Sequence, residues 1–401
     1  LRALVSARLG ADFTKLWTAS AVSNIGDGVT MAAGPLLVAS ITTDPALIGG
    51  AVFVQQLPWL LFALISGAYV DRLDRRKLVV TVNTLRAVSL AALTVAVATD
   101  TVTVGVVYTV FFLLGTGETL ADTASGAFLP AIVAPDRLAT ANARLMATFT
   151  IANQFVAKPL GAWLFVIAAA VPFGANALTF AVAAALVATI RPIPALPPTP
   201  RGSLHTEIAD GVRWLWEHRL LRTLAVSMGL ANVAFCAAFA TLVLYARQRL
   251  GLSDTGYGFL LTTFAVGGLL GTALAPRLQE IVGASILLRA GLVVEVITHT
   301  TLAITTTPLV AAAILIVFGI HTMVWGVILV TLRQRVVPQN LLGRVGSVHS
   351  LLDLGGAALG SLIGGTLASV WGLTTPFWIA AAVMTLIATA AWRPLRQASA
   401  A

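Results

Sequence analysis

Twelve stretches of this chain, most of them twenty residues or longer, carry little charge: 16–41, 46–70, 78–98, 103–127, 145–169, 171–190, 221–246, 256–276, 284–305, 308–331, 345–370 and 373–391. The hydrocarbon core of a bilayer takes about 20 apolar residues of helix to cross, and unbroken rather than alternating apolar runs argue against a β-barrel. The expected fold is therefore an all-α, multi-pass membrane protein with twelve transmembrane helices. Composition agrees, because 10% charged residues and a mean hydropathy of +0.92 are far from the roughly 25% charge of a soluble domain. The single cysteine, Cys236, excludes an internal disulfide and a cysteine metal cluster; within an apolar run it reads as a small core residue. No metal site is expected.

The net charge of +9 over 401 residues has to be read by location. With the N-terminus inside, the inner segments hold twenty-one of the 25 Lys and Arg residues. Only Arg247 and Arg249 fall in outer loops, while Arg86 and Lys158 lie within spans. Basic residues collect on the cytoplasmic side of membrane proteins, so both termini are expected there, and the charge is topological rather than a sign of nucleic-acid binding. Arg2, Arg8 and Lys15 precede the first span with no apolar run before them, so no cleavable signal peptide is expected.

The densest charge sits in the turn after the second span, Gly67-Ala68-Tyr69-Val70-Asp71-Arg72-Leu73-Asp74-Arg75-Arg76-Lys77. A longer connection rich in proline and arginine divides the chain into a first bundle at 1–190, a linker at 191–220 and a second bundle with a short tail at 221–401. Within the linker, Glu207 to Trp216 has apolar residues at helical spacing and is expected to form an interfacial helix. An internal repeat supports the division. Val133-Ala134-Pro135-Asp136-Arg137-Leu138 before the fifth span is echoed by Val336-Val337-Pro338-Gln339-Asn340-Leu341 before the eleventh, and the same shift carries Gly161 onto Gly364.

The pattern G-x-x-x-D-R-x-x-R-R over Gly67, Asp71, Arg72, Arg75 and Arg76 resembles the loop between the second and third helices of the major facilitator superfamily. Asp74 stands where that superfamily usually has glycine. Asn24-Ile25-Gly26-Asp27-Gly28, Leu57-Pro58-Trp59, Glu118-Thr119-Leu120-Ala121-Asp122 and Ala141-Asn142-Ala143-Arg144 are similar to the bacterial drug-efflux branch that includes macrolide and multidrug exporters. The resemblance implies two pseudo-symmetric six-helix bundles around a central cavity and proton-driven export of amphipathic small molecules across the bacterial cytoplasmic membrane. It also implies a monomer with a small-molecule substrate and the lipid bilayer as partners. A cytoplasmic gate is implied as well, with Arg75 or Arg76 bridging to Asp122, and Asp71 facing the start of the eleventh span.

Charges inside a membrane are costly, so each needs a partner or a water-filled cavity. Asp27 lies about eleven residues, roughly 16 Å, into the first span. Gly26 and Gly28 beside it are expected to leave room for water or a ligand, which makes Asp27 the first candidate for proton coupling, followed by Glu118. Glu118 and Asp122, four residues apart, share a helix face, and Arg86 lies at a depth similar to that of Glu118, so the two are expected to pair. Lys158 is expected to neutralise Glu118 or Asp27, or else to face the cavity and favour an anionic substrate. In the second half, Glu295 with His299, and His321 with Trp325, share helix faces and join Asn24, Gln55, Gln56, Trp59, Asn153, Gln154, Phe155 and Lys158 as candidate cavity residues. Asp353 is expected near the cytoplasmic gate.

No G-x-x-x-x-G-K-[ST] loop occurs, so no nucleotide cofactor is expected and the proton motive force becomes the energy source. Neither H-E-x-x-H nor G-x-S-x-G appears, which weighs against a membrane-embedded enzyme or lipid-handling protein. A dedicated exporter of an anionic or neutral metabolite, such as a siderophore or antibiotic, remains the rival within transport.

Overall fold

The computed structural model describes residues 9–70, 73–134, 137, 141, 144–145, 148–191, 204–338 and 341–399. Among them every regular element is helical. The first group comprises α1 (Ala11–Ile41), α2 (Pro45–Val70), α3 (Arg75–Ala98), α4 (Val104–Ile132), a π-helical segment (Thr150–Ala157) running directly into α5 (Lys158–Ile167), and α6 (Val171–Ala188). The short α7 (Leu204–Glu217) follows. The second group comprises α8 (Arg219–Phe239), α9 (Asp254–Val282), α10 (Ala284–Ile304), α11 (Pro308–Val336), α12 (Leu342–Trp371) and α13 (Thr375–Ala391).

Each of the twelve apolar runs thus lies on a helical segment. Nine helices among the described residues are long and apolar enough to cross a membrane, and Ile151–Ile167 and Thr375–Ala391 are shorter apolar helices. The remaining run lies in α1, which is 31 residues long. Helices are the spanning form that satisfies every backbone group internally, and local chemistry sets their ends. Asp74 caps α3 by accepting from Lys77 N, Thr103 caps α4 from Val106 N, and Ser253 caps α9 from Gly256 N. Asp74, the departure from the usual glycine, is therefore the residue that starts α3. At the other ends, α9 and α12 stop at Gly283 (φ 83°) and Gly372 (φ 94°), a conformation that favours glycine.

The chain forms two compact units. The first comprises Leu1–Ile41 with Leu57–Pro200, and the second Thr42–Gln56 with Arg201–Ala401. The division differs from the simple halves expected, because it cuts α2 between Gln56 and Leu57, next to Pro58, and places α7 with the second unit.

Inside the first unit, the fifth span packs on α1 at Gly161, where a Cβ would fall 2.4 Å from Val29 O. Inside the second, α12 packs on α8 at Gly364, where a Cβ would fall 2.0 Å from Ala237 O. The two glycines related by the sequence repeat therefore do the same work. With no hydrophobic drive between helices in lipid, association depends on such small residues letting backbones approach. Gly356 and Gly360 continue the α12 seam against Gly229 and Val233. Gly267, Gly271 and Gly319 bring α9 and α11 to backbone contact in the same way.

Adding one methyl group at these seams should be costly. Gly161→Ala and Gly364→Ala are each expected to cost about 1–3 kcal/mol through overpacking, seen as a lower apparent Tm in detergent micelles. Gly326→Ala, where a Cβ meets nothing within 4 Å, is expected to be neutral or to gain up to about 1 kcal/mol of helix propensity. Equal melting of all three variants would show that close approach does not hold the bundles together.

Candidate functional site

Asp27 stands near the middle of α1, and its neighbours Gly26 and Gly28 do not open a pocket. A Cβ on Gly26 would fall 1.9 Å from Asn176 Oδ1 and 2.1 Å from Thr179 Oγ1 of α6. One on Gly28 would fall 2.6 Å from both Ala157 Cβ and Asn153 O in the π segment. The glycines are contact points that clamp α1 between α6 and the fifth span, so the expected space for water or a ligand beside the carboxylate is occupied by helix. Polar bonds tighten the clamp: Asn176 Nδ2 donates to Thr30 Oγ1 at 2.7 Å, and Asn153 Nδ2 donates to Asn24 O at 3.1 Å. Asn24 in turn donates to Ser20 O at 2.7 Å. Asn24 and the buried Asn153 thus join helices to one another.

The charge that Asp27 meets is Arg86. Its Nη2 donates to Asp27 Oδ1 at 2.8 Å, with 5% of the arginine side chain and 19% of the aspartate side chain exposed. Two features aim the guanidinium. Gly117 on α4 leaves the space its stem needs, since a Cβ there would fall 2.7 Å from Arg86 Cδ. The guanidinium carbon then sits 3.9 Å above the ring of Phe180 on α6, a cation–π contact worth about 2 kcal/mol or more when desolvated. This path carries Arg86 past Glu118 to α1, which is why it pairs with Asp27 and not with Glu118 as expected. Glu118 and Asp122 remain electrostatic neighbours of the pair, each within range of both Arg86 and Asp27. One guanidinium therefore acts electrostatically on three carboxylates, of which Asp27 is the one in contact.

Lys158 is half-buried at the junction where the eight-residue π segment passes into α5. Pro159 follows it and has no N–H to give the preceding turn; π-helical turns often mark functional positions. Asp27 is paired with Arg86. The side chains of Gln154 and Phe155 lie outside those described, while Gln55, Gln56 and Trp59 are partly exposed on α2.

Of the charged turn, Asp71 and Arg72 lie outside the described residues, and Gly67 is described only as part of α2. Arg76 Nη2 donates to Ala188 O at the C-terminus of α6, and Lys15 Nζ donates to Thr189 O at 2.8 Å. Two cations so meet the negative end of one helix. Arg76 serves α6 here, and the side chain of Asp122 is exposed.

The second unit holds a different cluster. Glu295, 8% exposed, lies 3.3 Å through Oε1 from His321 Nε2 and 3.6 Å through Oε2 from His299 Nδ1. Gly291 makes this possible, because a Cβ there would fall 2.3 Å from the His321 ring. Trp325 meets the His321 ring edge-on at 5.7 Å. The four residues expected to share two helix faces thus converge on one seam between α10 and α11. Asp353, expected near a gate, is tied to α8: Asn232 Nδ2 donates to Asp353 Oδ1 at 2.9 Å. Among the described residues no group of three acidic, histidine or cysteine side chains is arranged to hold a metal. Phe180, Gly117 and Asn176 were not singled out from the sequence. A polar Asn in an apolar span was a readable signal, whereas a phenylalanine or glycine in a span full of them was not.

The sequence profile of a family described as transmembrane secretion effector matches residues 8–400. The multidrug efflux pump Tap of Mycolicibacterium fortuitum is 26% identical over 392 residues, covering 93% of each chain. The enterobactin exporter EntS of Salmonella typhimurium is 23% identical over 362 residues, covering 88% of this chain and 85% of its own. The crystal structure of the nucleoside transporter NupG superimposes with a TM-score of 0.73 at 14% identity, covering 97% of this chain and all of its own.

Breaking the Asp27–Arg86 pair should cost more than removing it. Asp27→Asn or Arg86→Met alone leaves a buried charge uncompensated, with an expected loss of about 3–5 kcal/mol, while the double variant should lose less than either. Apparent melting temperatures of the three proteins in detergent micelles would test this. A double variant that melts below both singles would show that the pair is not what sets the cost.

Proposed function

We propose that this chain, which belongs to the transmembrane secretion effector family of major facilitator transporters, is a proton-coupled exporter of amphipathic small molecules that works by alternating access. The observation that carries the proton coupling is the buried pair of Asp27 and Arg86, in which the carboxylate is the more accessible partner, 19% exposed against 5%. Protonating Asp27 cancels its side of the pair. Arg86 would then keep the Phe180 ring beneath it and the field of Glu118 beside it but lose its hydrogen-bonded counter-charge, so one proton changes the charge balance of the cluster. A carboxylate and a guanidinium held on different helices make that change mechanical. Outward transport is supported by the family description and by relatives named as an efflux pump and an exporter. The proton motive force is the proposed energy source.

We place the protein in the bacterial cytoplasmic membrane with both termini inside. The two basic residues that charge counting leaves outside support this, because both are accounted for structurally. Arg247 pairs with Asp254 at 2.7 Å, and Arg249 donates to Ile304 O and Thr305 O at the end of α10.

A second reading, a dedicated exporter of an anionic or neutral metabolite, is favoured by Lys158, half-buried beside the π segment. One experiment addresses both: ethidium efflux from proteoliposomes with an imposed pH gradient. Wild type should transport, and Asp27→Asn should lose gradient-driven movement at least about tenfold while sparing counterflow exchange, as expected when the coupling group is lost but binding remains. Wild type that ignores the cation while Lys158→Gly accepts it would move the assignment to the second reading. Asp27→Asn that pumps normally would remove Asp27 from the mechanism.

A further inference from the structure

The mechanism above makes no use of the most enclosed ionisable cluster in the second unit. Glu295 and His299 come from α10 and His321 from α11, and the three residues are 8% exposed or half-buried at most, with His299 completely covered. Of the other titratable groups among the described residues, Tyr245 reaches α10 beyond His299, where its hydroxyl donates to Leu302 O at 2.7 Å. α13 contains none, and α9 contains none between Tyr257 and Arg277. Arg289 on α10 is directed elsewhere, donating to Ser285 O with its guanidinium 5.4 Å from the Trp392 ring. α8 contributes Phe235 and Phe239 to the rings around Phe318, and its Cys236 is turned toward Asn232.

Hydrogen-bond chemistry then constrains where a proton can go. His299 Nδ1 lies 2.8 Å from the backbone carbonyl of Glu295, and a carbonyl only accepts, so this nitrogen carries the hydrogen. The other ring nitrogen of His299 is buried with no partner, and so is Glu295 Oε2. A buried ionised carboxylate with an unsatisfied oxygen is far costlier than a neutral one or one facing an imidazolium. Glu295 Oε1 and His321 Nε2, 3.3 Å apart, can hold one proton between them, as carboxyl and imidazole or as carboxylate and imidazolium. Either way the cluster is neutral with that proton and carries one negative charge without it. Glu295 and His321 keep 11% and 9% of their side chains exposed, so exchange can occur at this pair and not at His299.

We infer that Glu295 and His321 form a second proton-binding site, in which one proton bridges the seam between α10 and α11. The packing makes that seam the responsive one. α11 is fixed to α9 by backbone contacts at Gly267, Gly271 and Gly319, whereas its His321 and Trp325 rest on α10 at the single gap of Gly291. Losing the proton puts an uncompensated negative charge in that gap, and the charge is relieved when α10 and α11 part enough to admit water or a cation. Proton binding stands by itself; its place in a transport cycle rests on the reading in the preceding subsection.

Trp325 supplies a readout that does not need transport, since an imidazolium at the edge of an indole quenches its fluorescence. The full chain in lipid nanodiscs would be titrated between about pH 5 and pH 8, alongside Trp325→Phe to isolate that residue's signal. The expected result is a single reversible transition of the Trp325 component, abolished in His321→Gln and displaced along the pH axis in Glu295→Gln. A flat wild-type signal, which requires no variant to fold, would overturn the inference, and so would a transition unchanged in both variants. In proteoliposomes, the proton-to-substrate ratio from reversal potentials should fall by one in the double variant Glu295→Gln with His321→Gln, which has no protonatable group left at the site. An unchanged ratio would overturn the site's role in coupling, while a wild type with no pH-driven transport but an intact Trp325 transition would overturn the transport reading and leave the site standing.

Discussion

An arginine buried in a helix bundle has to be provided for on every side, and Arg86 organises the first unit on that account. A cation at membrane depth is stable only with a counter-charge or water, and here it has Asp27 at 2.8 Å, an aromatic face at 3.9 Å and a glycine beneath its stem. Those three provisions come from α1, α6 and α4. The positions of four helices, with α3 itself, are therefore tied to one side chain. The glycines at 26 and 28 are the complement of this arrangement. They bring α1 close enough to α6 and to the fifth span for the carboxylate to arrive at a fixed place, which a flexible approach could not do.

The two units answer the same problem with different chemistry. In the first, a permanent cation acts on three carboxylates, so the net charge depends on how many of them are protonated. In the second, one carboxylate lies between two imidazoles, none of which is permanently charged, so the cluster can be neutral in a single protonation state. Backbone packing is nonetheless shared: Gly161 on Val29 in one unit and Gly364 on Ala237 in the other are the same seam built twice. Repeated backbone architecture with divergent buried charge is what an ancient duplication leaves when packing is constrained by geometry and polar groups are free to specialise.

Much of the fold was legible in the sequence because the bilayer allows so few solutions. Twelve apolar runs could be little other than helices, whereas the residues that set helix ends, such as Asp74, Gly283 and Gly372, emerge only in the structure. The candidate site was legible only as a set of residues. Depth along a helix can be counted from the rise per residue, which correctly brought Arg86 level with the carboxylates, but depth does not tell azimuth. Arg86 was free to meet Glu118 or Asp27 until Gly117 and Phe180 decided it, and neither of those carries a signal in an apolar span. The same limit explains Gly26 and Gly28, for a glycine beside a charge can equally make room for a ligand or for another helix, and only the neighbouring helix settles which. Shared-face arguments fared better in the second half, because Glu295 with His299 and His321 with Trp325 needed only an adjacent pair of helices to meet.

The π segment before Lys158 bears on why this span, and not another, carries a cation. An eight-residue π run widens the helix and changes which faces its residues present relative to an α-helix of the same length. Pro159 sustains the break, since the α-type bond it would have donated is absent. Two residues past it, Gly161 restores close packing on Val29. Lys158 thus occupies the first α-helical position of the fifth span, between a segment joined to α1 through Asn153 and one joined through Gly161.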